Sequence, residues 1–219
     1  MVRKNELPQS RRAILLIDFI NPLDFPEAGK LAAPAVEAAR CTRQMVRAAR
    51  SNGIPVIYAN DNFDCWRSDF TTLVTGLRQG SGPSALIARL LRPQRQDLTV
   101  LKPMHSAFYG TPLDILLDKI GVRTLVMAGL AADICVQMSA ADAFLRGLKV
   151  HVPEDCTAAE TTQKKTIALA YMRDILECDT RHWRSLRWLE PPSGTPFAPG
   201  SAHIPGGPGL HHSSSGELQ

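Results

Sequence analysis

Two hydrophobic rhythms alternate along this chain. Short apolar runs at residues 13–18, 55–59, 98–102, 124–128 and 149–152 read as strands covered on both faces, because a strand wet on one side alternates apolar with polar residues. Between them, apolar positions recur three and four residues apart, the spacing of one helix face. This spacing predicts helices over 34–52, 84–91, 112–119, 133–146 and 162–177. Pro34 suits the first turn of its helix, and Gly53 and Gly121 suit helix ends. Thr111 reads as a cap with Pro112 in the first helical position, and Ile167, Ala170, Tyr171, Asp174 and Ile175 mark the last helix.

Strand–helix alternation of this kind predicts a parallel sheet with helices on both faces, an α/β fold of Rossmann-like three-layer α/β/α type. Residues 12–189 carry the pattern and form the expected single domain; residues 1–11 are polar. From Glu190 onward, Pro191, Pro192, Pro196, Pro199, Pro205 and Pro208 alternate with Gly and Ser as far as Gln219. That composition buries too little apolar surface to offset the entropy of ordering, so 190–219 reads as an extended tail.

The chemistry-bearing residues fall at strand ends. Asp18 closes the first strand, Lys102 the third, and Cys135 opens the helix that follows the fourth through Gly129, Ala131 and Ala132. In open α/β sheets, ligands bind outside the carboxyl ends of the strands. A cysteine at the mouth of a helix is suited to a reactive thiolate, since terminal N–H groups stabilise negative sulfur. The plainer readings are a small core residue for the cysteine and solvated turn residues for the Asp and Lys. An acid, a base and a thiol on one rim are harder to set aside.

Together, in this order, LLIDFINPLDFP, LKPMHSAFYGTPLD and GLAADICV make the chain resemble the isochorismatase-like cysteine hydrolases, which include nicotinamidases and N-carbamoylsarcosine amidases. The resemblance runs from about Arg12 to about Asp179. It implies a mainly parallel sheet of six strands, the last near 180–186, and a Cys135, Asp18, Lys102 triad. It also implies a cis peptide between Leu130 and Ala131, with the Ala131 and Cys135 amides forming an oxyanion hole. The expected reaction is hydrolysis of a C–N bond in a small amide, carbamoyl or ureido compound through a thioester. Asp18 takes the thiol proton, and Lys102 steadies the thiolate and the carboxylate. An isochorismatase-type vinyl-ether hydrolase is the alternative on the same fold, although that chemistry does not need a nucleophilic cysteine. A ligand-binding or redox protein on the scaffold is the non-enzymatic one.

Nicotinamidases carry zinc through an Asp-x-His motif after the second strand. Here residues 58–67 read YANDNFDCWR, and no histidine lies between Met1 and Met104. The usual nitrogen ligands are therefore missing, and the closer resemblance is to a metal-free branch with no cofactor. Asp61, Asp64 and Cys65 are the one alternative ligand set near this strand; His203, His211 and His212 lie in the tail. The expected pocket walls are Phe19, Asn60, Asn62, Trp66, His105, Phe108, Tyr109 and Leu130, with His105 a rival general base.

Composition narrows the setting. The chain has 219 residues, 44% of them hydrophobic, enough for one well-buried core. The net charge of +4 is mild, and only Arg89, Arg92 and Arg95 cluster, so nucleic-acid binding is not expected. No apolar run approaches the roughly 20 residues of a membrane span, and MVRKNELPQSRR lacks a signal-peptide core. Five cysteines without CxxC spacing fit a reduced, cytoplasmic setting rather than a disulfide framework. The resemblance also implies a homodimer or homotetramer, with the 63–70 loop around Trp66 and the tail as contact candidates.

Overall fold

The computed structural model describes residues 7–63 and 69–186. Six parallel-paired strands form one sheet: β1 (Arg12–Ile17), β2 (Val56–Asp61), β3 (Leu98–Lys102), β4 (Thr124–Leu130), β5 (Lys149–His151) and β6 (Thr157–Ala158). The order is β3-β2-β1-β4-β5, with β6 pairing the end of β4. Helices α1 (Ala28–Ser51), α2 (Phe70–Gln79) and α3 (Gly82–Leu90) pack on one face. Helices α4 (Leu113–Ile120), α5 (Gln137–Leu145) and α6 (Thr162–Asp174) pack on the other. This is the three-layer α/β/α sandwich that the sequence pattern predicts.

Strand β1 shows why the runs are continuous rather than alternating. Ala13, Leu15 and Ile17 face the α4–α6 layer, while Ile14 and Leu16 face the α1–α3 layer. Each position is buried, so each gains roughly 1.5–3 kcal/mol for a large aliphatic side chain. The register brings strand ends level: Ile17 pairs with Ala59 and with Gly129, and Asp61 pairs with Lys102. Gly129 is needed for this closeness. A Cβ there would lie 2.2 Å from the carbonyl oxygen of Ile17 and 2.8 Å from its Cβ.

Four elements differ from the sequence expectation. Helix α1 begins at Ala28, six residues before Pro34, because Ala28, Leu31 and Ala35 share the buried face; the proline is tolerated inside the helix. Helix α2 was not foreseen: FTTLVTGLRQ is rich in β-branched residues, yet Asp69 caps it by accepting from the Thr71 N–H at 3.0 Å. The sixth strand is Thr157–Ala158, not 180–186, which holds a short 3₁₀ turn, Trp183–Ser185. Asp179 makes only a single bridge, to His151. Helix α6 ends at Asp174, short of the expected 177, and Cys178 lies buried beyond it.

Among the described residues, no helix is long and apolar enough to cross a membrane. Asp64, Cys65, Trp66 and the tail from 190 lie outside the described residues.

Candidate active site

Asp18 follows β1 with a left-handed φ of 51°, a conformation that Asp tolerates better than most residues. Its N–H donates to the Ala59 carbonyl at 3.0 Å, and its Oδ1 accepts from the Asp61 N–H at 2.8 Å. The carboxylate is thereby locked to the end of β2. Lys102, the last residue of β3, is 0% exposed, and Asp18 is 5% exposed. The Lys102 Nζ lies 2.7 Å from Asp18 Oδ2 and 3.7 Å from Asp61 Oδ2. It also donates to the Met104 carbonyl at 3.1 Å and stands 3.8 Å from Cys135 Sγ. Three strands thus deliver Asp18, Lys102 and Cys135 to one point on the carboxyl rim.

The cysteine arrives by an unusual turn. β4 ends at Leu130, the Leu130–Ala131 peptide is cis, and a π-helical turn, Ala132–Val136, leads into α5. Cys135 sits inside that turn, not at the first turn of an ordinary α-helix as the sequence suggested. Single π turns are rare and occur often at functional sites. Two buried hydroxyls hold the turn. Ser139 donates to the Cys135 carbonyl at 2.6 Å and accepts from the Ala107 N–H at 2.9 Å, tying it to the loop after Lys102. Thr157 donates to the Gly129 carbonyl at 2.7 Å. Sequence reading missed both; a serine four residues after the cysteine was their one visible sign.

Electrostatics set the resting protonation. Burial pushes the Cys135 thiol up to about 12, and the Asp18 carboxylate adds to this while Lys102 opposes it. The thiol is therefore protonated at rest, and the helix-mouth effect expected from sequence is outweighed. Burial likewise raises Asp18, against the pull of Lys102, which makes it a stronger base; it also takes a hydrogen bond from Cys135. Burial alone would lower Lys102, but Asp18, then Cys135 and Asp61, raise it and keep the ammonium charged.

Beside this cluster opens a cavity of about 350 Å³. Asp18, Cys135, Leu130, Ala131 and His105 line it, with Asp61, Glu160 and several apolar residues. His105 Nδ1 approaches Cys135 Sγ to 3.7 Å. Among the described residues, the Ala131 N–H donates to no backbone carbonyl.

Several expected wall residues lie elsewhere. Phe19 is buried in the core under α1. Phe108 is buried in the opposite layer, with the Arg146 guanidinium 4.7 Å above its ring. Tyr109 turns outward, 65% exposed, onto a neighbouring apolar groove with Met104, Met138 and Leu145. Asn60 is buried and donates to the Ile20 carbonyl at 2.6 Å, which fixes the loop after β1. Asn62 is buried, and its N–H donates to the Lys102 carbonyl at 3.1 Å. Glu160 was not foreseen as a wall residue; it follows a two-residue strand with no sequence signal. Asp61 belongs to the cavity and to Lys102. Among the described residues, no three His, Cys, Asp or Glu side chains cluster as metal ligands.

Comparison with known proteins agrees with the fold. An uncharacterised isochorismatase family protein of Bacillus subtilis is 30% identical over 170 residues, 78% of this chain and 93% of that one. Maleamate amidohydrolase of Pseudomonas putida is 28% identical over 152 residues, 66% of this chain and 70% of its own. The crystal structure of N-carbamoylsarcosine amidase from Thermoplasma acidophilum superposes with a TM-score of 0.60 at 27% identity, covering 81% of this chain and 99% of that one. The isochorismatase domain matches residues 12–179, and the chain belongs to the isochorismatase family.

Proposed function

We propose that this protein is a cysteine amidohydrolase acting on a small amide, carbamoyl or ureido compound. The observation that carries the reading is the buried contact among Asp18, Lys102 and Cys135 at the cavity wall. Relatives named for amide hydrolysis, the maleamate amidohydrolase and the N-carbamoylsarcosine amidase, support it.

Cys135 Sγ bonds to the carbonyl carbon as its proton passes to Asp18, whose raised proton affinity suits that transfer. Lys102 then faces the sulfur with its charge, and the Ala131 and Cys135 N–H groups receive the oxyanion. One such donor is typically worth about 3–4 kcal/mol of barrier. The C–N bond breaks as Asp18 returns the proton to the leaving nitrogen, which departs as ammonia or an amine. Water gives a proton to Asp18, its oxygen attacks the thioester, and the C–S bond breaks to release the acid and restore the thiol.

Ammonia release from a panel of small amides and ureides, compared between wild type and Cys135→Ala, tests this reading. The expected loss on substitution is at least about a thousandfold, as for other nucleophile deletions. Acid-quenched wild type should also carry an acyl mass on the Cys135 peptide. Undiminished ammonia release from Cys135→Ala would overturn the assignment.

A further inference from the structure

The charge on the cavity wall bears on which amide can enter. Asp18, Asp61 and Glu160 line the cavity, and among the described residues no arginine or lysine lines it. The two ammonium groups that pair with these carboxylates are thereby engaged. Lys102 is fully buried and held by Asp18 and Asp61. Lys164 pairs with Glu160 and stands 3.9 Å from Asp133, with its side chain 50% exposed. Three carboxylates thus line the space a substrate must fill, and the two ammonium groups beside them are already paired. Asn21 and His105 add two further polar side chains, and most of the rest of the wall is apolar, with Leu23, Phe25, Phe63 and Ile134 along it. At about 30 Å³ per water-sized group, a cavity of about 350 Å³ holds about a dozen heavy atoms.

Among the described residues, a carboxylate on the substrate would find no free arginine or lysine in this space, and would lie next to Asp61 and Glu160. An unpaired like charge in a partly desolvated site is disfavoured. N–H groups, by contrast, would find carboxylate oxygens to accept them. Glu160 stands two residues beyond Ala158, which pairs with Leu130 at the end of β4. It therefore shares a wall with the cis turn and can meet the end of a substrate whose amide lies at Cys135.

Resting on the amidohydrolase reading above, we propose that the site selects a non-anionic amide: a compact, partly apolar body with the reacting amide at Cys135 and a second N–H-bearing group toward Glu160. Glu160 is then a specificity-determining residue, and a substrate ending in carboxylate, such as maleamate, is discriminated against.

Binding to the full-length Cys135→Ala protein, followed by calorimetry, separates this from catalysis. Size-matched pairs serve as probes: maleamide against maleamate, and succinamide against succinamate. The diamide should bind at least about tenfold tighter than its carboxylate partner, a difference of about 1.4 kcal/mol. Adding Glu160→Gln should shrink that ratio several-fold, and adding Lys164→Gln, which strips the carboxylate of its counter-charge, should enlarge it. Equal or tighter binding of the carboxylate members, a ratio unmoved by both substitutions, or no binding of any member in the millimolar range would overturn the proposal. Absence of ammonia release by the wild type from every amide, with the binding preference intact, would instead count against the amidohydrolase reading alone.

Discussion

Replacing Lys102 by Met keeps the length of the side chain and removes the one charge that Asp18, Asp61 and Cys135 share. In the folded protein its Nζ is fully buried, 2.7 Å from Asp18 and 3.7 Å from Asp61. Breaking a buried pair by deleting one partner typically costs about 3–5 kcal/mol, because the other charge is stranded. At the usual entropy of unfolding for a chain of this size, the melting temperature falls by roughly 6–20 °C. The sign with pH follows from Asp18. Burial already raises it, and Lys102 is the first of the groups that oppose the rise. Without Lys102 the folded-state value climbs further above the unfolded one of about 3.9. Such a carboxyl adds stability that is full below the unfolded value and is lost as pH rises through the folded value. The deficit of Lys102→Met relative to wild type should therefore be small near pH 4 and full at pH 7. Asp18→Asn in the same protein removes the stranded charge, so the double variant should regain most of the loss. Urea unfolding of the four proteins of this cycle at pH 5 and pH 7 reads the coupling directly. Additive single effects, or a deficit that grows as pH falls, would refute the reasoning.

Two further predictions test the frame around the site. His151 is buried at the edge of the sheet, 3.9 Å from Asp179; burial, with Lys149, Arg181 and Arg12, lowers it to about 4 against the pull of Asp179. Stability tied to neutral His151 is present above its ordinary value of 6.5 and is lost as pH falls toward 4, by roughly 3 kcal/mol at most; the His151→Gln variant should lack this slope in urea unfolding from pH 7 to pH 4. At Gly129, an alanine Cβ would overlap the Ile17 carbonyl, so Gly129→Ala should cost about 1–3 kcal/mol and lower ammonia release by about a hundredfold, the effect of displacing Asp18 from Cys135 by an ångström. A variant that matches wild type in both melting temperature and activity would show that β1 and β4 need not lie so close.

The strand ends were legible because burial on both faces leaves an unbroken apolar run that stops where the rim begins. The pattern alone puts Asp18, Lys102 and Cys135 on that rim. The walls were less legible because loops have no period. Phe108 and Tyr109 are adjacent in one loop, yet one enters the core and the other faces solvent. Phe19 follows Asp18 directly and points into the α1 layer. β6 spans two residues, too few for any pattern, so Glu160 beyond it gave no signal. Helix α2 was hidden by Thr and Val, whose stiff side chains favour strands; its Asp69 cap and buried Phe70 and Val74 decide otherwise.

A parallel sheet gives the cluster its economy of charge. Three strand ends meet because all strands run the same way and the register levels Ile17 with Ala59 and Gly129, and Asp61 with Lys102. A second buried anion beside Asp18 would be costly, which is why burial and the Asp18 carboxylate hold the Cys135 thiol protonated. In the proposed reaction, moving the proton from Cys135 to Asp18 relocates the negative charge without adding one. Lys102 stands within 2.7 Å of Asp18 and 3.8 Å of the sulfur, so the same ammonium faces the charge before and after the transfer. The carboxylate is desolvated enough to be a base, and the ammonium is held firmly enough to stay charged. A lysine on β3 serves this better than a histidine would, because its pull on the developing thiolate does not depend on its own deprotonation.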